Sequence, residues 1–330
     1  MQPSVSIVIP TYNYAQYIQE AVKSVLNQNY PTEKIEIVVI DDGSTDNTQE
    51  ILQPYINAGK VRYFYQDNKG KANATFRAIQ EAKGEYIFNL DADDYFLENK
   101  IARFIHVFEQ FPEVVHVGNV ARIESTGPDN QTVEGIPIDL LDHPIVGHVL
   151  LSYFYNHCML FGGGSTFAAK ASVLKSISAP SEVDMYIDEY LILAVLNCGA
   201  SYLISEPLSV WRVHERNYSV GKLSFEERKK KYERLLKSSD AILHQIRSEF
   251  YPTEIKNLYH LQHTIRMLYF KEELGGKTWK DIFSFFLFSF ASGKYTYRQL
   301  KSYSAFNRLL PTFFLHLLRK WKTRQPGNND

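Results

Sequence analysis

Three short apolar runs, each stopped by a polar turn, constrain this chain more than any other feature. Val5-Ser6-Ile7-Val8-Ile9 ends at Pro10, Ile35 to Ile40 ends at Asp41-Asp42-Gly43-Ser44, and Glu85 to Leu90 ends at Asp91-Ala92-Asp93-Asp94. Val61 to Tyr65 and Val114 to Val120 read as further strands. Helical patterns lie between them. Ile18, Ala21, Val22, Val25 and Leu26 keep a helical spacing. Asp46 offers a cap for a helix from Thr48, and helices follow at Lys71 to Ala82 and Asn99 to Gln110. Apolar strands alternating with helices imply a parallel sheet covered on both faces. Ligands on such sheets bind at the carboxyl ends of the strands. The residues after Ile9, Ile40 and Leu90 are therefore the first place to look for chemistry.

Composition narrows the class. The chain has 330 residues, 45% hydrophobic and 22% charged, which excludes disordered, collagen-like and coiled-coil chains. That length forms one large domain or two medium ones without disulfide staples. Cys158 and Cys198 fit a reducing compartment and make no metal-ligand spacing. Met1-Gln2-Pro3-Ser4 lacks the basic region of a signal peptide. The longest apolar stretch, Ile282 to Ala291, is about half of the roughly 18 residues that span a bilayer. The expected location is the cytoplasm.

Charge divides the chain. Residues 1–221 carry 15 Lys+Arg against 27 Asp+Glu, a net of −12, and residues 222–330 carry 21 against 10, a net of +11. The pattern changes at the same place. The acidic part closes with a helix from Asp188 through Leu196, a strand near Tyr202 to Ser205, and Trp211-Arg212-Val213-His214. Helical patterns then cover Phe225 to Ser248, Thr253 to Leu274, Trp279 to Phe290 and Asn307 to Trp321. A domain at 1–221 and a basic helical region at 222–330 are expected. From Ile282 to Arg324 there is no Asp or Glu, with eight Lys+Arg and twelve aromatics. Leu309, Leu310, Phe313, Phe314, Leu317 and Leu318 fall on one helical face opposite Arg308, Arg319 and Lys322. Such a helix lies in a membrane interface, packs on the acidic half or meets a second copy of the chain. A peripheral position on the cytoplasmic face of a membrane, or a homo-oligomer, would follow. Nucleic acid is not an expected partner, because no such motif is present and the acidic half repels phosphates.

The acidic turns carry the chemistry. Adjacent carboxylates repel, and clustering them at a strand end is costly without a cation. Asp91 and Asp93, two apart, face the same way in an extended segment and suit Mg²⁺ or Mn²⁺. Mg²⁺ takes one or two carboxylates and completes its shell with substrate phosphates, so a metal–diphosphate complex is indicated. An isolated Asp-x-Asp is more often a plain acidic turn. The further ligands and central Gly of a calcium loop are missing here. No phosphate-binding GxxxxGK[ST], GxGxxG or serine nucleophile elbow occurs.

In this order and spacing, Val5 to Asn13, Ile37 to Asp46 and Gly84 to Asp94 resemble the family 2 glycosyltransferases. The resemblance covers roughly residues 4–220. It implies the GT-A nucleotide-diphospho-sugar fold, an α/β fold that is Rossmann-like, with a mostly parallel mixed sheet, helices on both faces, and here a C-terminal helical region. It implies that Pro10, Thr11 and Tyr12 hold the nucleobase and ribose. Asp41 would accept a hydrogen bond from a uracil imide. Asp42 would help the ribose or shape the turn. Asp91, with Ala92 beside it, would lie near the ribose and metal, and Asp93 would ligate the metal. Many members carry an Arg-Asn pair after Asn-x-Gly; here Asn68-Lys69-Gly70 is followed by Thr75-Phe76 at those positions. A base-contacting cation then falls to Lys69, Lys71 or Arg77.

An inverting transfer needs one carboxylate in line with the acceptor hydroxyl. Glu182, Asp184, Asp188 and Glu189 are the candidates. Asp188-Glu189-Tyr190-Leu191-Ile192-Leu193 resembles the family's Asp-x-x-Leu-x-Leu segment, which assigns the base to Asp188 with Glu189 as the alternative. Read without the resemblance, Asp188 is a helix cap. Trp211-Arg212-Val213-His214, with Asn217, resembles the family's Arg-x-His-x-x-Asn ending. His214 would complete the metal shell or touch the diphosphate, supported by Arg212. Gly162-Gly163-Gly164-Ser165 resembles the segment beneath the donor sugar, where Gly163 and Gly164 let backbone approach a ligand. The expected reaction moves a sugar from a nucleoside-diphosphate sugar, a UDP-sugar, to a glycan, lipid-linked or other hydroxyl acceptor in polysaccharide or cell-envelope synthesis. The rivals are a nucleotidyltransferase that makes a nucleotide sugar and a non-catalytic nucleotide-sugar-binding module.

Overall fold

The computed structural model describes residues 4–125, 130–157, 159–178, 180–214, 224–248 and 250–283. Two compact units form, Met1–Leu151 with Leu160–Leu223, and Ser152–Met159 with Ser224–Asp330. In chain order the elements are β1 (Val5–Thr11), α1 (Ala15–Leu26), β2 (Ile35–Asp41), α2 (Thr48–Asn57), β3 (Arg62–Tyr65), α3 (Lys71–Glu81), β4 (Tyr86–Asn89), β5 (Tyr95–Phe96), α4 (Lys100–Gln110), β6 (Val114–Ser125), β7 (Gln131–Val133), β8 (Pro144–Val146), α5 (Gly147–His157), β9 (Ala168–Lys170), α6 (Ala171–Leu174), α7 (Ile187–Leu196), β10 (Ala200–Val213), α8 (Phe225–Ser248) and α9 (Thr253–Leu274).

The first unit is built on one sheet of order β3-β2-β1-β4-β9-β6-β10-β5, with β7 on β6 and β8 on β10. β3, β2, β1 and β4 are parallel, as the apolar runs imply. The sheet as a whole is mixed rather than parallel, because β9 runs antiparallel to both β4 and β6. Ala168 and Ala169 are fully buried and small enough to sit between those two strands. The glycine segment reads in the sequence as a tight loop leading into a strand from Thr166, and the strand begins two residues later, at Ala168. β6 and β10 also run past their expected ends at Val120 and Ser205. The register of β10 shifts between Ile204 and Ser209, around Pro207, so the proline sits in a bulge instead of ending the strand.

β1 likewise continues through Pro10 to Thr11. Val8 offers its carbonyl to Leu90 on the β4 side, and β4 pairs with β1 no further than Val8. Pro10 faces the same side beyond the end of β4, where no ladder partner asks for an N–H. The core gathers the β1, β2 and β4 runs with Ile18, Val22 and Val25 of α1 and Ile101, Phe104 and Phe108 of α4. All of these are buried, which matches their helical spacing in the sequence.

In the second unit α8 and α9 have the bounds expected from the sequence. Leu261, Ile265, Leu268 and Ile282 form an apolar cluster there. Residues 279–283 are helical. The rest of the expected Trp279 to Phe290 helix, and the whole of Asn307 to Trp321, lie outside the described residues. Among the described residues no helix is long and apolar enough to cross a membrane.

Candidate active site

The loops after β1, β2 and β4 meet at the carboxyl edge of the sheet. Asn13, with φ of 57°, takes Ser44 Oγ on its N–H and accepts the Thr45 N–H on Oδ1 at 2.7 Å. Asp46 does more than the expected capping. Its carboxylate takes the Thr48 N–H and hydroxyl at the start of α2 and the Ala15 N–H at the start of α1. Asn47, not Asp46, occupies the cap position itself.

Asp41 and Asp42 are both buried and do different things. Asp41 accepts the Tyr63 hydroxyl at 2.6 Å on one oxygen and the Ser44 N–H at 2.7 Å on the other. Asp42 accepts Gln66 Nε2, the Lys69 N–H and the Gly70 N–H. It therefore shapes the 66–70 loop that leads into α3. The Lys69 side chain is exposed. Pro10 and Thr11 are buried within β1, so Tyr12 is the member of that trio that opens to solvent, at 45% exposure. Arg77 hydrogen-bonds the Tyr65 carbonyl and Gln66 Oε1, which keeps it with the 65–66 segment.

The acidic loop after β4 places oxygens of Asp91, Asp93 and Asp94 within 4.8 Å of one another. Their surroundings separate them. Asp94 is buried with both oxygens engaged, one by the Arg212 N–H at 3.0 Å and one by the Ser165 hydroxyl at 2.5 Å. Burial, then the charges of Asp91 and Asp93, push its pKa well up. Asp93 is raised by burial and by Asp91, with Lys71 and His214 opposing. Its Oδ2 lies 3.1 Å from His214 Nε2, and the His214 ring stacks on Tyr17 at 4.7 Å. The Tyr14 hydroxyl also hydrogen-bonds Asp93, and burial followed by Asp93 and Asp91 raises the Tyr14 pKa. Neither Tyr14 nor Tyr17 carried a signal in the sequence.

Asp91 faces a second carboxylate. Lys71, the first residue of α3, holds Nζ 2.9 Å from Asp91 and 3.6 Å from Asp188 Oδ2. Burial lowers the Lys71 pKa, but Asp188, Asp91 and Asp93 together outweigh it and the net shift is upward. Asp188 sits in the first turn of α7, where the helix N-terminus favours a negative charge. Burial raises its pKa, while Lys71 and the Gly164 N–H lower it. Glu189, the next residue, is buried in the protein, because neighbours on a helix point about 100° apart. Asp184 instead packs its carboxylate against Gly70, whose φ of +92° and lack of a Cβ make room for it.

The glycine turn closes this wall. A Cβ on Gly164 would stand 3.6 Å from Asp91 Oδ2 and 3.9 Å from Asp188 Oδ2. One on Gly163 would stand 3.4 Å from the Asp188 Cβ. His116, fully buried, ties Gly162 from below: Nε2 lies 2.9 Å from the Gly162 carbonyl and Nδ1 2.8 Å from Ser201 Oγ. Nε2 is then the protonated nitrogen, and burial pushes the pKa down to about 4. The structure thus brings Asp91, Asp93, Asp188, His214, Gly163 and Gly164 together. The Arg212 guanidinium turns away to Glu20, at 2.5 Å, and to the Tyr17 and Tyr95 rings; only its backbone reaches the acidic loop.

Asp91 and Asp93 offer hard oxygen donors on a wall where like charge already strains them, which fits a divalent cation. Asp94 is occupied as a support. Asp91 and Asp93, with His214 beside Asp93, are the residues that could hold such a cation.

Comparison with known proteins agrees with this geometry. The model of "Glycosyl transferase family 2" matches residues 6–177, just over half of the chain. Glycosyltransferase GlyG of Streptococcus pneumoniae is 40% identical over 121 residues, 36% of this chain and 40% of that protein. An uncharacterized glycosyltransferase of Nostoc sp. is 28% identical over 219 residues, 64% of this chain and 66% of that protein. The chain therefore aligns with less than two thirds of the length of these relatives. Among solved structures, S. aureus TarS 1-349 in complex with UDP-GlcNAc superposes with a TM-score of 0.56 at 17% identity, over 96% of this chain and 92% of TarS. Mannosyltransferase PcManGT from Pyrobaculum calidifontis, in complex with GDP-Man and Mn2+, gives 0.55 at 20% identity, over 98% and 84%. At such identities the likeness speaks for the fold, the GT-A arrangement. The matched family model takes in the acidic strand ends and the glycine turn alike, and it shows that this chain belongs to glycosyl transferase family 2.

Proposed function

We propose that the protein is a metal-dependent, inverting glycosyltransferase that moves a sugar from a UDP-sugar to a hydroxyl of a glycan or lipid-linked acceptor. The observation that carries this reading is the sharing of one wall by Asp91, Asp93 and Asp188, with Lys71 between them. Asp91 and Asp93, with His214, are the residues that would hold Mg²⁺ or Mn²⁺. Bound there, the cation would neutralise charge developing on the departing diphosphate.

The remaining roles belong to the chain itself. Asp41, buried at the end of β2 and fixed by Tyr63 and Ser44, would read the base by accepting an imide N–H. Tyr12 offers an open ring beside it. Gly163 and Gly164 let the donor sugar approach the backbone next to Asp188. Asp188 takes the proton of the acceptor hydroxyl as that oxygen attacks the anomeric carbon from the face opposite the diphosphate. Lys71 keeps the Asp188 carboxylate turned toward Asp91 and the donor. The net charge of +11 over residues 222–330 favours an anionic partner, for which a membrane of acidic lipids is proposed.

Thermal shift with UDP, dTDP, GDP and CDP, each with and without Mn²⁺, tests the donor site. A ligand at about 100 times its Kd adds about 2.7 kcal/mol of stability. Stabilisation by UDP that requires Mn²⁺ is expected. A shift with GDP in place of UDP would move the reading to a guanine nucleotide, and no shift with any nucleotide would remove the donor site.

A further inference from the structure

Behind the acidic loop lies a charged residue that this reading leaves unused. Lys100, the first residue of α4, is fully buried. Its Nζ lies 2.9 Å from Asn119 Oδ1, 2.8 Å from the Ser165 carbonyl and 2.6 Å from Ser209 Oγ. The Phe96 and Phe104 rings close the other sides, at 4.4 and 4.5 Å from Nζ to each centroid. Burying an amine this completely is costly, and an apolar side chain of similar volume would fill the site at less cost. Burial pushes its pKa well down, opposed by the charge of Asp94. Packing alone does not account for a lysine here.

What Lys100 grips is Ser165, the residue after Gly164. The Ser165 hydroxyl donates to Asp94 Oδ2 at 2.5 Å and accepts the Asp91 N–H at 3.0 Å. Its carbonyl accepts from Lys100 and, at 2.8 Å, from Ser209. One residue of the glycine turn is therefore bonded to both ends of the acidic loop and pinned from behind. Asp94 carries the link to β10 by accepting the Arg212 N–H, two residues before His214. Chain segments around residues 91, 165 and 212 meet at this one network.

We propose that Lys100 is a positioning residue: it fixes Ser165, and through Ser165 it sets the spacing of Asp91 and Asp93 against Gly163 and Gly164, without touching substrate. This rests on the metal-dependent transferase reading above. Removing the amine leaves the Ser209 hydroxyl able to satisfy the Ser165 carbonyl or Asn119 Oδ1. The fold then has a substitute partner, but the Ser165 carbonyl loses its fixed anchor.

The test uses the full chain and reads Mn²⁺ affinity by electron paramagnetic resonance in the presence of UDP, with the denaturation midpoint measured beside it. The variants are Lys100→Met, Ser165→Ala, their double, and Phe108→Leu as a core change in α4 away from the amine, where the ring stacks on Tyr86. Lys100→Met is expected to weaken Mn²⁺ about 10- to 100-fold, as outer-shell changes at metal sites do. Phe108→Leu is expected to lower the midpoint and leave Mn²⁺ affinity within about twofold, because it leaves the network whole. In the Ser165→Ala background the Lys100→Met effect should largely vanish, since both act through one residue. Equal weakening by Lys100→Met and Phe108→Leu, or additive effects of Lys100→Met and Ser165→Ala, would overturn the proposal while leaving the transferase reading intact. A parent protein that binds no Mn²⁺ with UDP would overturn that reading and this one with it. Should Lys100→Met not fold, Ser209→Ala, which removes one partner of the same amine, carries the same expectation and the same refutation.

Discussion

Lys71 stands 2.9 Å from the Asp91 carboxylate, and the same ammonium lies 3.6 Å from Asp188, a residue 117 positions further along the chain. The position proposed for the metal and the position proposed for the base are thus tied through one side chain. Asn68-Lys69-Gly70 turns the chain into α3 so that the first side chain of the helix points at both.

Replacing Lys71 with Met should shift the acid limb of kcat/KM. Burial raises the Asp188 pKa and Lys71 lowers it, so removing the ammonium lifts it further. A base works only when ionised, and activity is lost as pH falls through its pKa. The acid limb should therefore move to higher pH by about one unit, the lower end of what an opposite charge at this range produces. A limb that stays in place, measured with saturating metal, would separate Lys71 from the base.

Asp93→Ala should lower transfer about 1,000-fold or more, the equivalent of several kcal/mol of charge stabilisation. Donor hydrolysis and transfer should both fall, and Mn²⁺ should no longer add to the thermal shift by UDP. Asp94→Asn should be milder in its direct effect on Mn²⁺, because both Asp94 oxygens are already taken by Ser165 and Arg212.

Asp188→Asn and Glu189→Gln discriminate the two base assignments. Asp188→Asn should keep UDP binding within a few-fold and reduce transfer about 100- to 10,000-fold. Glu189→Gln should act on stability instead, because Glu189 is buried. Transfer that survives Asp188→Asn but not Glu189→Gln would reverse the assignment.

His116 should make the fold acid-sensitive. Its folded pKa of about 4 lies below the 6.5 of the free side chain. Above pH 6.5 the contribution is fully present. Between about 6.5 and 4 the unfolded chain takes up a proton that the folded one refuses, and stability falls by on the order of 3 kcal/mol in total. Urea midpoints of the parent and of His116→Gln, compared between pH 7 and pH 4, should diverge in slope by up to one proton over that window. Parallel curves would mean that His116 is protonated in the folded chain.

Much of the first unit was legible in the residues, and for identifiable reasons. β1, β2 and β4 are nearly continuous apolar runs because both faces are buried, and such runs are hard to read any other way. The helices α8 and α9 were legible to the residue because Ser224, Pro252 and Gly275 punctuate them. The strand after the glycine turn was legible, but the place of β9 between β4 and β6 was not, because Ala168 and Ala169 hold it by fitting a gap between neighbours. The far half of β10 escaped because a bulge absorbs Pro207, and only the partner strand shows that.

The site divides the same way. The sequence by itself determined which residue types stand at the strand ends: Asp41, Asp42, Asp91, Asp93 and the Gly162 to Gly164 turn occupy local positions, and local pattern suffices to find them. Only the tertiary structure decided their partners. It set Asp42 to holding a loop, Asp94 to a support and the Arg212 guanidinium to Glu20, and it brought Lys71, Tyr14 and the buried Lys100 to the acidic loop. Those meetings join residues tens to more than a hundred positions apart. Their distances are fixed by sheet order and helix packing, which no spacing along the chain records.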